Sequence, residues 1–191
     1  MRGLYAITPE GPGLVAKVRS ALEGGIALLQ YRSKRGARAE ADAIVKLAKE
    51  FHVPVIVNDD AELALALGAD GAHLGKDDGD FAAARTRLRG KILGASCYDR
   101  LELARAAVAA GADYVAFGSV FASPTKPGAV RAPLSLFENN LGVPKCAIGG
   151  ITLENAPRLI AAGADLLAVI TDLFDAPDIA ARARAYGKLF R

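Results

Sequence analysis

Several polar clusters in this chain combine carboxylates, cations, amides and hydroxyls at spacings that could do chemistry. Gln30-Tyr31-Arg32-Ser33-Lys34 holds two cations beside an amide side chain. In an extended segment residues 30, 32 and 34 share one side. Gln30, Arg32 and Lys34 would then converge on one place and suit a phosphate or pyrophosphate; a solvated basic strand end is the competing reading. Asn58-Asp59-Asp60 follows another apolar run. Asp60 is placed to cap the helix after it, which leaves Asp59 as the ligand candidate. His73-Leu74-Gly75-Lys76-Asp77-Asp78 brings a second carboxylate, with helix capping as the alternative for Asp77 or Asp78. Two carboxylates completed by phosphate oxygens suit Mg²⁺. His73 reads as a hydrogen-bonded core residue. With His52 at a helix end, the two histidines of the chain disfavour zinc.

The remaining candidates carry hydroxyls and glycines. Ser96 ends an apolar run. Gly118 opens a segment through Ser123, Thr125, Lys126 and Gly128 that holds hydroxyls, a lysine and two prolines; long loops in small domains are often functional lids. Gly149-Gly150-Ile151-Thr152 and Ile170-Thr171-Asp172 close the last two apolar runs. Glycines let a phosphate approach backbone N–H groups at a helix start, although Gly-Gly alone is also just a tight turn.

Eight elements must position these groups. The predicted strands are Leu4–Thr8, Ala27–Arg32, Val55–Asn58, Gly71–Leu74, Ile92–Ser96, Tyr114–Gly118, Lys145–Ile148 and Leu167–Ile170. Helical periods fall at Leu14–Leu22, Ala39–Phe51, Ala61–Leu67, Phe81–Leu88, Leu101–Ala109, Leu153–Ala161 and Ile179–Leu189. The strands are almost continuously apolar, as parallel strands covered on both faces are. Alternation of strand and helix over 191 residues predicts a (β/α)8 TIM barrel, a single compact domain spanning 1–191, with a doubly wound open sheet as runner-up. The site then belongs at the C-terminal ends of the strands, where every cluster above falls. The phrases Leu67–Gly75, Ala110–Gly118 and Ala162–Ile170 repeat one design, with Glu23–Tyr31 as a looser copy. Their Gly and Asp residues read as turn-builders at the opposite, stabilising face.

A net charge of +3, spread without a basic block, and 6% aromatics argue for anionic small ligands and against nucleic acid. No apolar run approaches the roughly 20 residues of a membrane span. LYAIT starts at residue 4, so no signal peptide is expected, and Cys97 and Cys146 read as buried thiols of a soluble, cytoplasmic protein. Homodimer and monomer are both open.

Seven segments, in order and each after a predicted strand, resemble the thiamine phosphate synthase family over nearly the whole chain. They are Gln30–Lys34, Val57–Asp60, Gly75–Asp78, Gly94–Ser96, Ser123–Pro127, Ile148–Thr152 and Val169–Thr171. The resemblance implies coupling of 4-amino-5-hydroxymethyl-2-methylpyrimidine diphosphate to 4-methyl-5-(2-phosphoethyl)thiazole, giving thiamine monophosphate and pyrophosphate. It implies that Asp59 and Asp78 hold Mg²⁺. Gln30, Arg32, Lys34, Asn58, Ser96 and Lys126 would contact the pyrimidine diphosphate, and Ser123, Thr125, Gly150, Ile170 and Thr171 the thiazole phosphate. Arg32, Lys126 and Ser96 would be catalytic in a dissociative substitution that needs no protein nucleophile. The sequence departs from the family at Lys76, where Gln is usual, at Thr171, often Ser, and at Thr8-Pro9 in place of Thr-Asp. A thiazole tautomerase-type paralogue and a non-catalytic phosphate-binding barrel are the alternatives.

Overall fold

The computed structural model describes residues 1–34, 38–122 and 131–191. Strands and helices alternate: β1 (Gly3–Ile7), α1 (Leu14–Glu23), β2 (Leu28–Tyr31), α2 (Arg38–Glu50), β3 (Val55–Asn58), α3 (Ala61–Ala66), β4 (Gly71–Leu74), α4 (Phe81–Arg87), β5 (Ile92–Tyr98), α5 (Leu101–Ala109), β6 (Tyr114–Gly118), β7 (Lys145–Ile148), α6 (Ala156–Ala161), β8 (Leu166–Val169), α7 (Thr171–Phe174) and α8 (Ile179–Lys188). Each strand pairs in parallel with its sequence neighbours and β1 closes on β8. The result is a (β/α)8 barrel, not the open sheet.

The apolar runs are explained by two cores. Leu4 and Ala6 of β1 face the helices, while Tyr5 and Ile7 point into the barrel with Leu28, Ile56, Tyr114, Cys146 and Leu166. Both faces of each strand are thus buried, which removes the alternation that an exposed sheet would show. Leu14, Val18, Ala21 and Leu22 form the buried stripe of α1 at helical spacing. Asp60, Asp80 and Asp178 cap α3, α4 and α8 by accepting N–H bonds of the first turn. The cap of α4 is therefore Asp80, and neither Asp77 nor Asp78 takes that part.

Among the element ends that differ from expectation, three bear on the rim. Helix α6 starts at Ala156, later than Leu153, because Thr152 and Asn155 bond each other's backbone N–H at 2.9 and 3.3 Å and hold 152–155 as a turn. Strand β8 stops at Val169, and the four-residue helix α7 follows at Thr171. Strand β5 continues past Ser96 to Tyr98 through a register shift. Among the described residues no helix is long and apolar enough to cross a membrane.

The repeated phrase is structural. Gly25, Gly68, Gly111 and Gly163 all have positive φ, from 60° to 102°, as a helix C-terminus turning back toward the sheet requires. The Asp after three of them holds the start of the preceding strand. Asp70 accepts from Val55 N–H at 2.8 Å, Asp113 from Leu93 N–H at 2.7 Å and Asp165 from Lys145 N–H at 2.9 Å. Each of these aspartates also donates its own N–H to the carbonyl of the residue it grips. Ala27 occupies the fourth position, where Ala27 N–H reaches Leu4 O but no carboxylate is present. Breaking one clamp should cost stability without touching the far rim: Asp70→Ala is expected to lower the unfolding free energy by about 1–2 kcal/mol in urea titrations, with turnover unchanged.

Candidate active site

The rim of the barrel gathers its groups because neighbouring strands end side by side. Asn58 of β3 pairs in register with His73 of β4, and Asp59 N–H donates to His73 O at 2.8 Å. Asp59 has a φ of 62°, the left-handed region that Asp tolerates better than most residues. The turn after β4 brings Asp78 back over the strand end, where its carboxylate accepts Gly75 N–H at 2.6 Å. The two carboxylates meet there. The carboxyl of Asp59 is raised to about 6, first by desolvation at the rim, then by the hydrogen bond and charge of Asp78; Arg32 and Asn58 oppose the shift. Arg32 is thus the cation beside the acidic pair.

Arg32 is held by β1. Buried Thr8 donates its hydroxyl to Arg32 O at 3.1 Å and accepts Arg32 N–H at 2.9 Å, and Thr8 N–H bonds Gln30 O at 2.9 Å. Glu10 accepts Lys34 N–H at 2.6 Å. Strand β2 ends at Tyr31, so residues 30, 32 and 34 do not continue as one extended face. Gln30 is buried in the barrel, Arg32 is half-buried beside Asp59, and Lys34 is exposed. Lys76 pairs loosely with Asp77 at 3.9 Å, both exposed. Thr8, which the sequence reading gave no role, is the missed positioning residue; its signal was a hydroxyl at a strand end.

Inside the barrel the polar groups form one chain. Gln30 Nε2 donates to Tyr5 Oη at 2.6 Å, Tyr5 Oη lies 2.7 Å from Tyr114 Oη, Tyr114 Oη 2.9 Å from His73 Nδ1, and His73 Nε2 2.8 Å from Ser96 Oγ. Burial drives His73 down to about 4, against the opposing charge of Asp78, so the ring is neutral at neutral pH. The core reading of His73 holds, and its two nitrogens are both taken by hydroxyls. Tyr5 and Tyr114 were missed because nothing local to either marks a partner 109 residues away.

On the opposite side of the rim, Gly149 and Gly150 have φ of 105° and 63°. A Cβ at Gly149 would stand 2.1 Å from Ser119 Oγ, and one at Gly150 2.4 Å from Ala122 O. These glycines therefore let the β7 turn pack against residues 119–122. Gly150 O accepts from the Asn155 amide at 3.0 Å. Since β7 pairs with β8, Gly150 and the half-buried Ile170 belong to adjoining strand ends, and Thr171 opens α7. Asp172 behind it accepts Arg182 at 3.0 Å and the Tyr186 hydroxyl at 2.7 Å, tying α7 to α8. Ser123, Thr125 and Lys126 lie outside the described residues. Tyr98, unmarked by the sequence, is half-exposed with a φ of 53°, and its hydroxyl lies on the same side of Gly75 as the Asp78 carboxylate. Cys97 and Cys146 are buried free thiols, and burial pushes Cys97 up to about 12.

Among the described residues no three His, Cys, Asp or Glu side chains cluster as a metal cage. A pair of carboxylates that repel one another fits a hard divalent cation that takes the rest of its shell from water and ligand oxygens.

A rim with an acidic pair, an adjacent arginine and glycine turns on the opposite strands defines a (β/α)8 barrel built for phosphorylated ligands. The thiamine monophosphate synthase family model matches residues 4–173. The chain is 59% identical to the thiamine-phosphate synthase of Aromatoleum aromaticum, covering 100% of this chain and 97% of that protein. It is 54% identical to that of Methylobacillus flagellatus, covering 100% and 96%. The solved thiamine phosphate pyrophosphorylase of Pyrococcus furiosus superposes with a TM-score of 0.87 at 34% identity, over 98% of this chain and 95% of that one. A 3-hexulose-6-phosphate synthase shares the fold with a TM-score of 0.78 at 19% identity. The chain belongs to the thiamine monophosphate synthase family.

The acidic pair has a consequence for stability. Asp59 titrates near 6 in the folded chain and near 3.8 when free. The folded state holds the extra proton between these values, so its ionisation destabilises the fold as pH rises from about 4 through 6. Asn removes the charge and accepts φ of 62°. Asp59→Asn should therefore raise the melting temperature at pH 8 without added metal and lose that advantage at pH 4; an equal shift at both would contradict the coupling.

Proposed function

We propose that this protein joins a pyrimidinylmethyl diphosphate to a thiazole phosphate as a thiamine-phosphate synthase, releasing pyrophosphate at the C-terminal rim of the barrel. The observation that carries the site assignment is the meeting of Asp59 and Asp78 beside Arg32, in a chain whose relatives carry that name. The pair would hold Mg²⁺, which when bound supplies charge neutralisation to the leaving diphosphate. Arg32, anchored by Thr8, adds a fixed positive charge at the same place, where negative charge grows as the bond breaks. Asn58, Lys34, Gln30 and Ser96 complete this half, with Lys126 from the sequence reading.

The substitution balances without a protein nucleophile. The C–O bond breaks and the diphosphate departs with the electron pair. The thiazole nitrogen then donates its lone pair to the pyrimidinylmethyl cation. The two buried cysteines take no part. What the chain must supply is orientation, and the turns bearing Gly150, Ile170 and Thr171 are read as the seat of the thiazole phosphate across the rim, with Ser123 and Thr125. A thiazole tautomerase would release no pyrophosphate.

Pyrophosphate release with both substrates and Mg²⁺ tests this reading. Asp78→Asn is expected to cut kcat by about 100-fold or more, the scale of losing one preorganised charge in a site, with the fold retained by circular dichroism. Lys76, turned to Asp77, should be dispensable, so Lys76→Gln should leave kcat and KM unchanged. Pyrophosphate with Mg²⁺ should raise the melting temperature. Full activity in Asp78→Asn would end the assignment of the acidic pair.

A further inference from the structure

The hydrogen-bond chain in the barrel takes its direction from the orientation of the Gln30 amide. Gln30 Nε2 is a donor, so Tyr5 Oη accepts and must spend its single proton on Tyr114 Oη. Tyr114, having accepted, has one proton left, and the acceptor within reach is His73 Nδ1. The ring proton then sits on Nε2 and is donated to Ser96 Oγ. An imidazolium is excluded by the same count. With Nδ1 protonated, the Tyr114 hydroxyl would be buried with a proton and no acceptor, which is unfavourable inside the barrel. Ser96, already an acceptor, is left with one unspent proton.

The sheet is built to allow this. His73, Gly94 and Tyr114 lie in register across β4, β5 and β6. A Cβ at Gly94 would fall 2.1 Å from Tyr114 Cζ and 2.4 Å from its Oη. Gly94 is therefore the gap through which the Tyr114 ring reaches His73, stacking at 5.5 Å between centroids and 26° between planes. Tyr5 meets the same ring edge-on at 5.8 Å.

We propose that Tyr5, Tyr114 and His73 are positioning residues that act through Ser96, a one-way relay that fixes the imidazole as the Nε2–H tautomer and leaves the Ser96 hydroxyl proton free to be donated to the substrate. The inference rests on reading Ser96 as a substrate contact. The chain starts from the Gln30 amide, whose nitrogen is committed to Tyr5. The relay thus selects a ligand that offers an acceptor at Ser96. Reversing the Gln30 amide would reverse every link, moving the ring proton to Nδ1 and spending the Ser96 proton on His73.

Two measurements decide the matter. In the wild-type protein labelled with ¹⁵N-histidine, two-bond ¹H–¹⁵N correlations should show the Nε2–H tautomer for His73. An Nδ1–H ring would overturn the relay, and no variant has to fold for this test. In steady-state coupling assays, Tyr114→Phe is expected to lower kcat/KM for the pyrimidine diphosphate about tenfold, the worth of one hydrogen bond. In a Ser96→Ala background it should have little further effect, because the relay then has nothing to orient. Losses that multiply independently would mean Tyr114 serves packing alone and would overturn the proposal. A silent Ser96→Ala would sink the substrate contact and the proposal with it, a failure that the tautomer distinguishes from a failure of the relay.

Discussion

Closing a parallel sheet on itself forces every strand to end on one rim. Residues far apart in sequence must then share a small circle, and the side chains pointing inward must fill a space that water cannot. The first condition assembles Arg32, Asp59, Asp78, Gly150 and Thr171 from the ends of five separate strands. The second decides how polar groups below the rim can exist: each must find its partner inside the barrel, since none is available outside. The Gln30–Ser96 chain satisfies that demand with hydroxyls and one imidazole, in the same interior as the apolar side chains of Ile7, Leu28, Ile56 and Leu166.

Stability and chemistry are placed at opposite ends. At the N-terminal face, Asp70, Asp113 and Asp165 each make a bond that stabilises the fold and leads to no ligand. At the C-terminal face, Asp59 carries a left-handed φ and a neighbouring carboxylate, both unfavourable in the absence of a cation. The same residue type therefore does opposite work at the two faces. Position along the strand, rather than the residue itself, decides which.

Much of this was legible in the chain because it is local. Continuous apolar runs marked the strands, Asp60 announced its helix, and the Gly-Ala-Asp phrase announced turns. Those features depend on neighbours within a few residues. Asp80 displaced Asp77 and Asp78 as a cap because the β4 turn runs two residues longer than spacing suggests. The start of α6 was set by the mutual bonding of Thr152 and Asn155, which an apolar period does not register. Tyr5, Tyr114 and the lateral reach permitted by Gly94 needed barrel closure to be seen, since each is an unremarkable residue until strands 1, 4, 5 and 6 are placed around one axis. The acidic pair lay between. Its members were visible, but their contact is a property of the rim.

The carboxylate clamps repeat every second strand, at the entries to β4, β6 and β8, so the barrel is fastened as pairs of strands. The pair β1–β2 has Ala27 where its counterparts have Asp, and a Cβ on Gly3 would come within 2.8 Å of the Ala27 methyl. Crowding there leaves little room for a carboxylate, and this quarter keeps only its backbone bonds. Under thermal or denaturant stress the first amide proton to exchange among these strand entries would then be that of Leu4, the counterpart of Val55, Leu93 and Lys145. The barrel would then loosen first along the β1–β2 seam, at the end opposite Thr8 and Gln30.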